Sequence, residues 1–215
     1  MNHRPVSSPP FPQRGLYAIT AADGRSPQAL LDAVKAALRG GTAVLQYRCK
    51  SPQRRREEAP ALREACRQAG VPFIVNDDLD LAEELAADGV HLGSEDGSPA
   101  AARNRLRTGA IIGVSCYDST ERALQARREG ADYVAFGRFF PSPTKPQAPT
   151  ARLETLAAAR ALLDIPIVAI GGVSVDNGGE LLRAGADLLA VIDGVFGAGD
   201  PETAARRIVG LFDPA

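Results

Sequence analysis

The chain has 215 residues, a formal net charge of −1, 45% apolar and 24% charged residues. That length and apolar content suffice for one large domain with a core of its own. The near-neutral charge argues against nucleic-acid binding and against an electrostatic hold on a membrane surface, and no apolar run is long enough for a transmembrane helix.

Cys49, Cys66 and Cys116 are odd in number and match no zinc spacing, which points to reduced thiols in a cytoplasmic protein. With His3 and His91 as the only histidines, a histidine-rich metal site is excluded. The opening MNHRPVSSPPFPQRG has no signal-peptide apolar region; its prolines and serines predict a loose, disordered tail over residues 1–14.

The first strand is expected at LYAIT, 16–20. A helix follows over 26–41, with Ser26 as cap, Pro27 at its first position, Gly40 at its end and Leu30, Leu31, Val34, Ala37 and Leu38 on its apolar face. The second strand, AVLQYR at 43–48, begins apolar and turns polar without a turn signal. Alternation puts Gln46 and Arg48 on one face and Leu45 and Tyr47 on the other, toward the helices. Two cations, Arg48 and Lys50, at one strand end suit an anion, and the Gln46 amide suits the edge of a heterocycle. Arg54 to Arg56 read as a solvated surface.

The third strand, 72–76, ends in Asn76-Asp77. The fourth, 89–93, leads into Ser94-Glu95-Asp96. Two carboxylates at adjacent strand ends suit Mg²⁺, which accepts one or two carboxylates and keeps waters. Asp77 is equally placed to cap the helix beginning at Asp78, and Asp96-Gly97 to form a turn. His91, inside the fourth strand, reads as a core histidine with satisfied nitrogens. The fifth strand, 111–116, carries Ser115, positioned to bond a ligand or to cap the next helix. Strand six, 133–137, precedes the long, proline-stiffened GRFFPSPTKPQAPT, whose Ser142, Thr144 and Lys145 suit phosphate or pyrophosphate. Strand seven, 166–172, ends in Gly171-Gly172 and strand eight, 188–193, in Ile192-Asp193; glycines there let backbone N–H groups approach phosphate oxygens.

The phrase Gly-Ala-Asp precedes strands six and eight, and Ala-Asp-Gly leads into strand four, a weak internal repeat of a strand–helix unit. Eight such units predict an α/β, single-domain (β/α)₈ TIM barrel over residues 15–213. An open doubly wound sheet is disfavoured because no G-x-G-x-x-G follows the first strand. In a barrel all these polar residues would gather at the C-terminal ends of the strands, where active sites lie.

QYRCK, VND, GVHLGSED, IIGVSCYDS, ADYVAFGRFFPSPTKP, PIVAIGGV and LLAVIDGVF, in this order, resemble the thiamine phosphate synthase family. The resemblance implies a barrel enzyme that joins an aminopyrimidine methyl diphosphate to a hydroxyethylthiazole phosphate, releasing pyrophosphate. It implies that Gln46, Tyr47, Arg48, Cys49, Lys50 and Asn76 hold the pyrimidine diphosphate, that Asp77 and Asp96 bind Mg²⁺, and that Ser115 contacts the pyrimidine. It places Ser142, Pro143, Thr144 and Lys145 around the thiazole and pyrophosphate, and Gly172, Ile192 and Asp193 at the thiazole phosphate. Arg48, Lys50, Ser115 and Lys145 are the catalytic candidates. Ser94 stands where many members have Gln, and Asp193 where serine is common. The expected partners are small molecules, with no nucleic acid and no membrane; a homo-oligomer stays open. A thiazole tautomerase-like relative and a silent barrel that binds thiamine precursors are the rival readings. The first needs an acid–base group, and Cys116-Tyr117 after Ser115 offers no histidine.

Overall fold

The computed structural model describes residues 9–21, 24–141 and 150–213. Eight parallel strands close into a barrel in sequence order, β1 through β8, with β1 pairing β8. They are β1 Gly15–Ile19, β2 Thr42–Tyr47, β3 Phe73–Asn76, β4 Gly89–Leu92, β5 Ile111–Tyr117, β6 Tyr133–Phe136, β7 Ile167–Ile170 and β8 Leu188–Val191. Each overlaps the expected run. The helices are α1 Pro27–Arg39, α2 Pro52–Ala69, α3 Leu79–Glu84, α4 Pro99–Arg105, α5 Thr120–Arg128, α6 Leu153–Leu162, α7 Gly178–Arg183, a one-turn α8 Asp193–Phe196 and α9 Pro201–Val209. Among the described residues, no helix is long and apolar enough to cross a membrane.

Period-two alternation splits the core into two shells. Leu16, Ala18, Leu45, Tyr47, Phe73, Val75, Ile112 and Val134 pack between strands and helices. Tyr17, Ile19, Val44, Ile74, Ile111, Tyr133, Ala135, Val168, Leu188 and Ala190 fill the barrel interior. Side-chain caps start most helices: Ser26, Asp78, Ser98 and Ser119 accept from backbone N–H groups three residues on.

The repeated aspartate has a structural role. Asp88, Asp132 and Asp187 each stand before a strand and accept the N–H of a residue at the start of the preceding one: Phe73 at 3.0 Å, Ile112 at 2.7 Å and Ile167 at 2.8 Å. Each also meets an arginine, Arg107, Arg103 and Arg160 respectively. The N-terminal rim is thus latched by one device used three times, as stability residues of such barrels often are.

Part of the stretch expected as tail is placed against the barrel. Phe11 stacks on Tyr133, with ring centroids 4.2 Å apart and planes 3° apart, and packs against the interior cluster. Residues 1–8 lie outside the described residues. The sequence hid Phe11 because its partner stands far along the chain.

Candidate active site

A cavity of about 330 Å³ opens inside the barrel mouth. Among the expected residues, Gln46, Arg48, Asn76, Ser115, Gly172, Ile192 and Asp193 line it. They come from five strand ends that are distant in sequence, so closure of the barrel is what brings them together.

Strand β2 supplies the amide and one cation. Gln46 is buried at 3% exposure, facing inward as alternation requires. Arg48 is half-buried, and its backbone is clamped by Thr20: Arg48 N–H donates to Thr20 Oγ1 at 2.9 Å, and that hydroxyl donates to the Arg48 carbonyl at 3.3 Å. Thr20 is fully buried and escaped the sequence reading, since one threonine ending an apolar strand carries no distinctive signal.

Tyr47 departs from its expected position in the site. Its ring faces the helix layer, stacked on Phe73, and its hydroxyl donates to Glu58 at 2.7 Å. Burial and the neighbouring carboxylate raise this phenol far above its ordinary range. Pleating sends it away from the face that carries Gln46. Cys49 is half-exposed and does not line the cavity; its thiol donates to the Ser51 carbonyl at 3.6 Å. Lys50 is exposed beyond the strand end.

Asp77 and Asp96 converge on Gly93. A Cβ built there would lie 2.5 Å from Asp96 Oδ2 and 3.8 Å from Asp77 Oδ1. Asp78, rather than Asp77, caps α3, accepting from Leu81 N–H at 2.9 Å and pairing with Arg55 at 2.5 Å. Asp77 is instead held in the left-handed region, φ 63°, by its N–H on the His91 carbonyl at 2.8 Å, and Asn76 Nδ2 donates to its Oδ2 at 2.5 Å. A non-glycine residue there is uncommon and often functional. Asp96 closes the bend over residues 94–96, accepting from Gly93 N–H at 2.8 Å. Neither carboxylate lines the cavity itself; both stand beside it, tied in through Asn76 and Gly93. Two carboxylates with a side-chain-free cradle between them suit a hard divalent ion that retains waters. No group of three or more metal-ligating side chains occurs among the described residues.

Ser115 does not cap α5; Ser119 does, accepting from Arg122 N–H at 3.1 Å. Ser115 Oγ lies 2.9 Å from His91 Nε2, and its carbonyl accepts from Arg122 Nε at 2.7 Å. Arg122 also reaches the Gly93 carbonyl at 3.3 Å. His91 is 8% exposed and its other nitrogen lies 2.9 Å from Tyr133 Oη, so the expected satisfied core histidine is what stands there. It also lines the cavity, as do Tyr17 and Tyr133. Their inward parity on apolar strands was the available signal.

On the far wall Gly171 and Gly172 adopt φ values of 100° and 66°. A Cβ on Gly172 would fall 2.5 Å from the Pro141 carbonyl, so a side chain is excluded there. Asp193, the first residue of α8, also lines this wall. Ser142, Pro143, Thr144 and Lys145 lie outside the described residues.

A closed parallel barrel with a cavity at the C-terminal ends of its strands defines a class: a (β/α)₈ barrel of the kind that carries enzyme sites at that end. The comparisons are specific. A family model described as thiamine monophosphate synthase matches residues 16–195. The thiamine-phosphate synthase of Methylococcus capsulatus is 56% identical over 205 residues, covering 94% of this chain and 91% of that protein. That of Acidithiobacillus ferrooxidans is 53% identical, covering 93% and 94%. A solved thiamine phosphate pyrophosphorylase from Pyrococcus furiosus superposes with a TM-score of 0.82 at 36% identity, covering 93% of this chain and 95% of that one. The chain belongs to the thiamine monophosphate synthase family, and it is a transferase.

Proposed function

We propose that the chain joins 4-amino-2-methyl-5-(diphosphooxymethyl)pyrimidine to 4-methyl-5-(2-phosphooxyethyl)thiazole, giving thiamine phosphate and pyrophosphate. The observation that carries this reading is the convergence of Gln46, Arg48, Asn76 and Ser115 on one cavity beside the Asp77–Asp96 pair. A cavity of about 330 Å³ suits a ligand of this size class.

In this reading the aminopyrimidine ring enters between Gln46 and Ser115, and its diphosphate meets Asn76, Arg48 and Lys50. Asp77 and Asp96 would hold Mg²⁺, which supplies charge neutralisation to the diphosphate when bound. The bond from the pyrimidine methylene carbon to the diphosphate oxygen breaks, and the electron pair leaves with pyrophosphate. The amino group of the ring supports the resulting cation. The lone pair of the thiazole nitrogen then forms the new C–N bond. Arg48 and Lys50 stabilise charge as it develops on the leaving group, which is where fixed cations contribute most. Ser142, Pro143, Thr144 and Lys145 are assigned to the thiazole and the pyrophosphate, and Gly172, Ile192 and the Asp193 backbone to the thiazole phosphate, by the family resemblance.

No protein nucleophile is required. Cys116 is buried and its thiol is pushed up to about 12 by desolvation. A tautomerase-like reaction would need a free acid–base group, and both His91 ring nitrogens already have side-chain partners. Three thiols outside any disulfide agree with a reducing, cytoplasmic setting.

The test is pyrophosphate release by purified protein with Mg²⁺ and the pyrimidine diphosphate, with and without the thiazole phosphate, together with detection of thiamine phosphate by fluorescence after oxidation. Release that needs both substrates and the metal, matched by product, is expected. Binding of either precursor without release would return the silent-binder reading.

A further inference from the structure

Five side chains form one continuous hydrogen-bonded chain across the barrel interior. Gln46 Nε2 donates to Tyr17 Oη at 2.9 Å. Tyr17 Oη lies 2.7 Å from Tyr133 Oη, Tyr133 Oη lies 2.9 Å from His91 Nδ1, and His91 Nε2 lies 2.9 Å from Ser115 Oγ. Its two ends, Gln46 and Ser115, both line the cavity. Gly113 permits this path, because a Cβ there would lie 1.9 Å from Tyr133 Cζ. Phe11 backs Tyr133 with a parallel ring.

We infer that Tyr17, Tyr133 and His91 are positioning residues that force Gln46 and Ser115 to present opposite hydrogen-bond polarity to the ligand. The site therefore selects a heterocycle edge carrying one donor and one acceptor. This rests on the proposed aminopyrimidine reading and adds to it the origin of selectivity.

The direction follows from counting protons. Each phenol has one proton to donate. Tyr17 accepts from Gln46, so its own proton goes to Tyr133. The Tyr133 proton then goes to His91 Nδ1. A neutral imidazole accepting at Nδ1 carries its proton on Nε2, and it donates that proton to Ser115 Oγ. The Ser115 proton is left for the cavity, and Gln46 Oε1 is left as an acceptor. Turning the Gln46 amide over reverses every link, and the two ends exchange roles; they remain opposite. Both phenols are held protonated by burial, which raises them well above their ordinary range. An aminopyrimidine edge, with an amino donor beside a ring-nitrogen acceptor, matches both ends at once. A 4-methoxy pyrimidine, which offers two acceptors and no donor, leaves one end mismatched whichever way the chain runs.

The experiment measures inhibition of the pyrophosphate-forming reaction by the aminopyrimidine methyl monophosphate and by its 4-methoxy counterpart. Wild type, Tyr133→Phe, Tyr17→Phe and Ser115→Ala are compared, with inorganic pyrophosphate as a probe of the cationic end and thermal unfolding as a check of the fold. Wild type is expected to prefer the amino compound about tenfold or more, the scale of one hydrogen bond. Each variant is expected to bring that preference to within about threefold while inhibition by pyrophosphate holds. Retention of the full preference in both tyrosine variants, with both compounds weakened equally, would reduce the tyrosines to structural residues and overturn the inference while leaving the synthase reading intact. If Tyr133→Phe does not fold, Tyr17→Phe and Ser115→Ala decide. A wild-type protein that turns over no substrate defeats the synthase reading separately, and one that binds neither monophosphate defeats this inference as well.

Discussion

Asp132 stands directly before β6, and its carboxylate accepts the backbone N–H of Ile112 in neighbouring β5 at 2.7 Å. Arg103 holds the same carboxylate at 2.8 Å. This latch lies at the N-terminal rim, opposite the cavity. Asp132→Ala is therefore expected to destabilise the fold by about 1–2 kcal/mol, the scale of a lost charged hydrogen bond to backbone. Turnover at 25 °C should stay within about twofold of wild type. Denaturant unfolding and steady-state kinetics on one preparation would separate the two effects; a large loss of turnover in fully folded protein would contradict the assignment.

Asp77 and Asp78 are adjacent and have different duties. Asp78 caps α3 and pairs with Arg55. Asp78→Ala should cost about 1 kcal/mol of stability. Asp77→Ala should cost about 1 kcal/mol or less, because it loses the Asn76 contact and sets alanine at φ 63° but relieves a carboxylate beside Asp96. Its turnover should fall by about a hundredfold or more. Lys50→Ala should behave likewise, losing turnover while folding normally, because its side chain is exposed. Unchanged turnover in both Asp77→Ala and Lys50→Ala would remove the proposed diphosphate site.

Gly113→Ala probes the interior directly. The new methyl would meet the Tyr133 ring at 1.9 Å from Cζ, too close for either to stay in place. Overpacking of a filled core costs roughly 1–3 kcal/mol. The displaced ring also breaks the contacts to Tyr17 and His91. The expected outcome is a lower unfolding temperature together with loss of selectivity at the pyrimidine end. Loss of stability alone would mean that the ring accommodates the methyl without leaving its partners.

Alkaline pH should destabilise this fold. Burial pushes the Cys116 thiol from 9.0 up to about 12 and raises Cys66, Tyr17, Tyr47 and Tyr133 as well. Each group keeps its proton in the folded state after the unfolded chain has lost it. Their contribution is complete below the unfolded values, 9.0 for thiols and 10.0 for phenols, and falls as pH rises above them. Chemical unfolding midpoints should therefore drop progressively above pH 9. A midpoint that is flat to pH 11 would show that these groups ionise equally in both states.

Thiol accessibility gives an independent check of the two shells. Cys66 and Cys116 are fully buried, and Cys49 is half-exposed. A disulfide reagent at neutral pH should titrate one thiol quickly in the native protein and three after denaturation. Rapid reaction of all three in the native protein would mean that the helix layer opens readily.

The sequence by itself determined the architecture. Eight β-branched runs, each followed by a helical pattern, mark the strands of a parallel barrel, because a strand buried on both faces must be apolar along its whole length. Period-two alternation was enough to send Gln46 inward and Tyr47 outward. The motifs placed the cations, the carboxylates and Ser115 at strand ends. The tertiary structure decided what those residues touch. Tyr17 and Tyr133 are 116 residues apart, and only ring closure joins them through their hydroxyls. It decided that Asp78 rather than Asp77 caps α3, a choice between adjacent carboxylates that depends on backbone angles. It gave Phe11 a place against Tyr133 and showed that the repeated aspartates latch neighbouring strands. Local pattern reports which face a side chain occupies; which partner it meets across a closed barrel depends on strand register and closure, and these exist only in the folded chain.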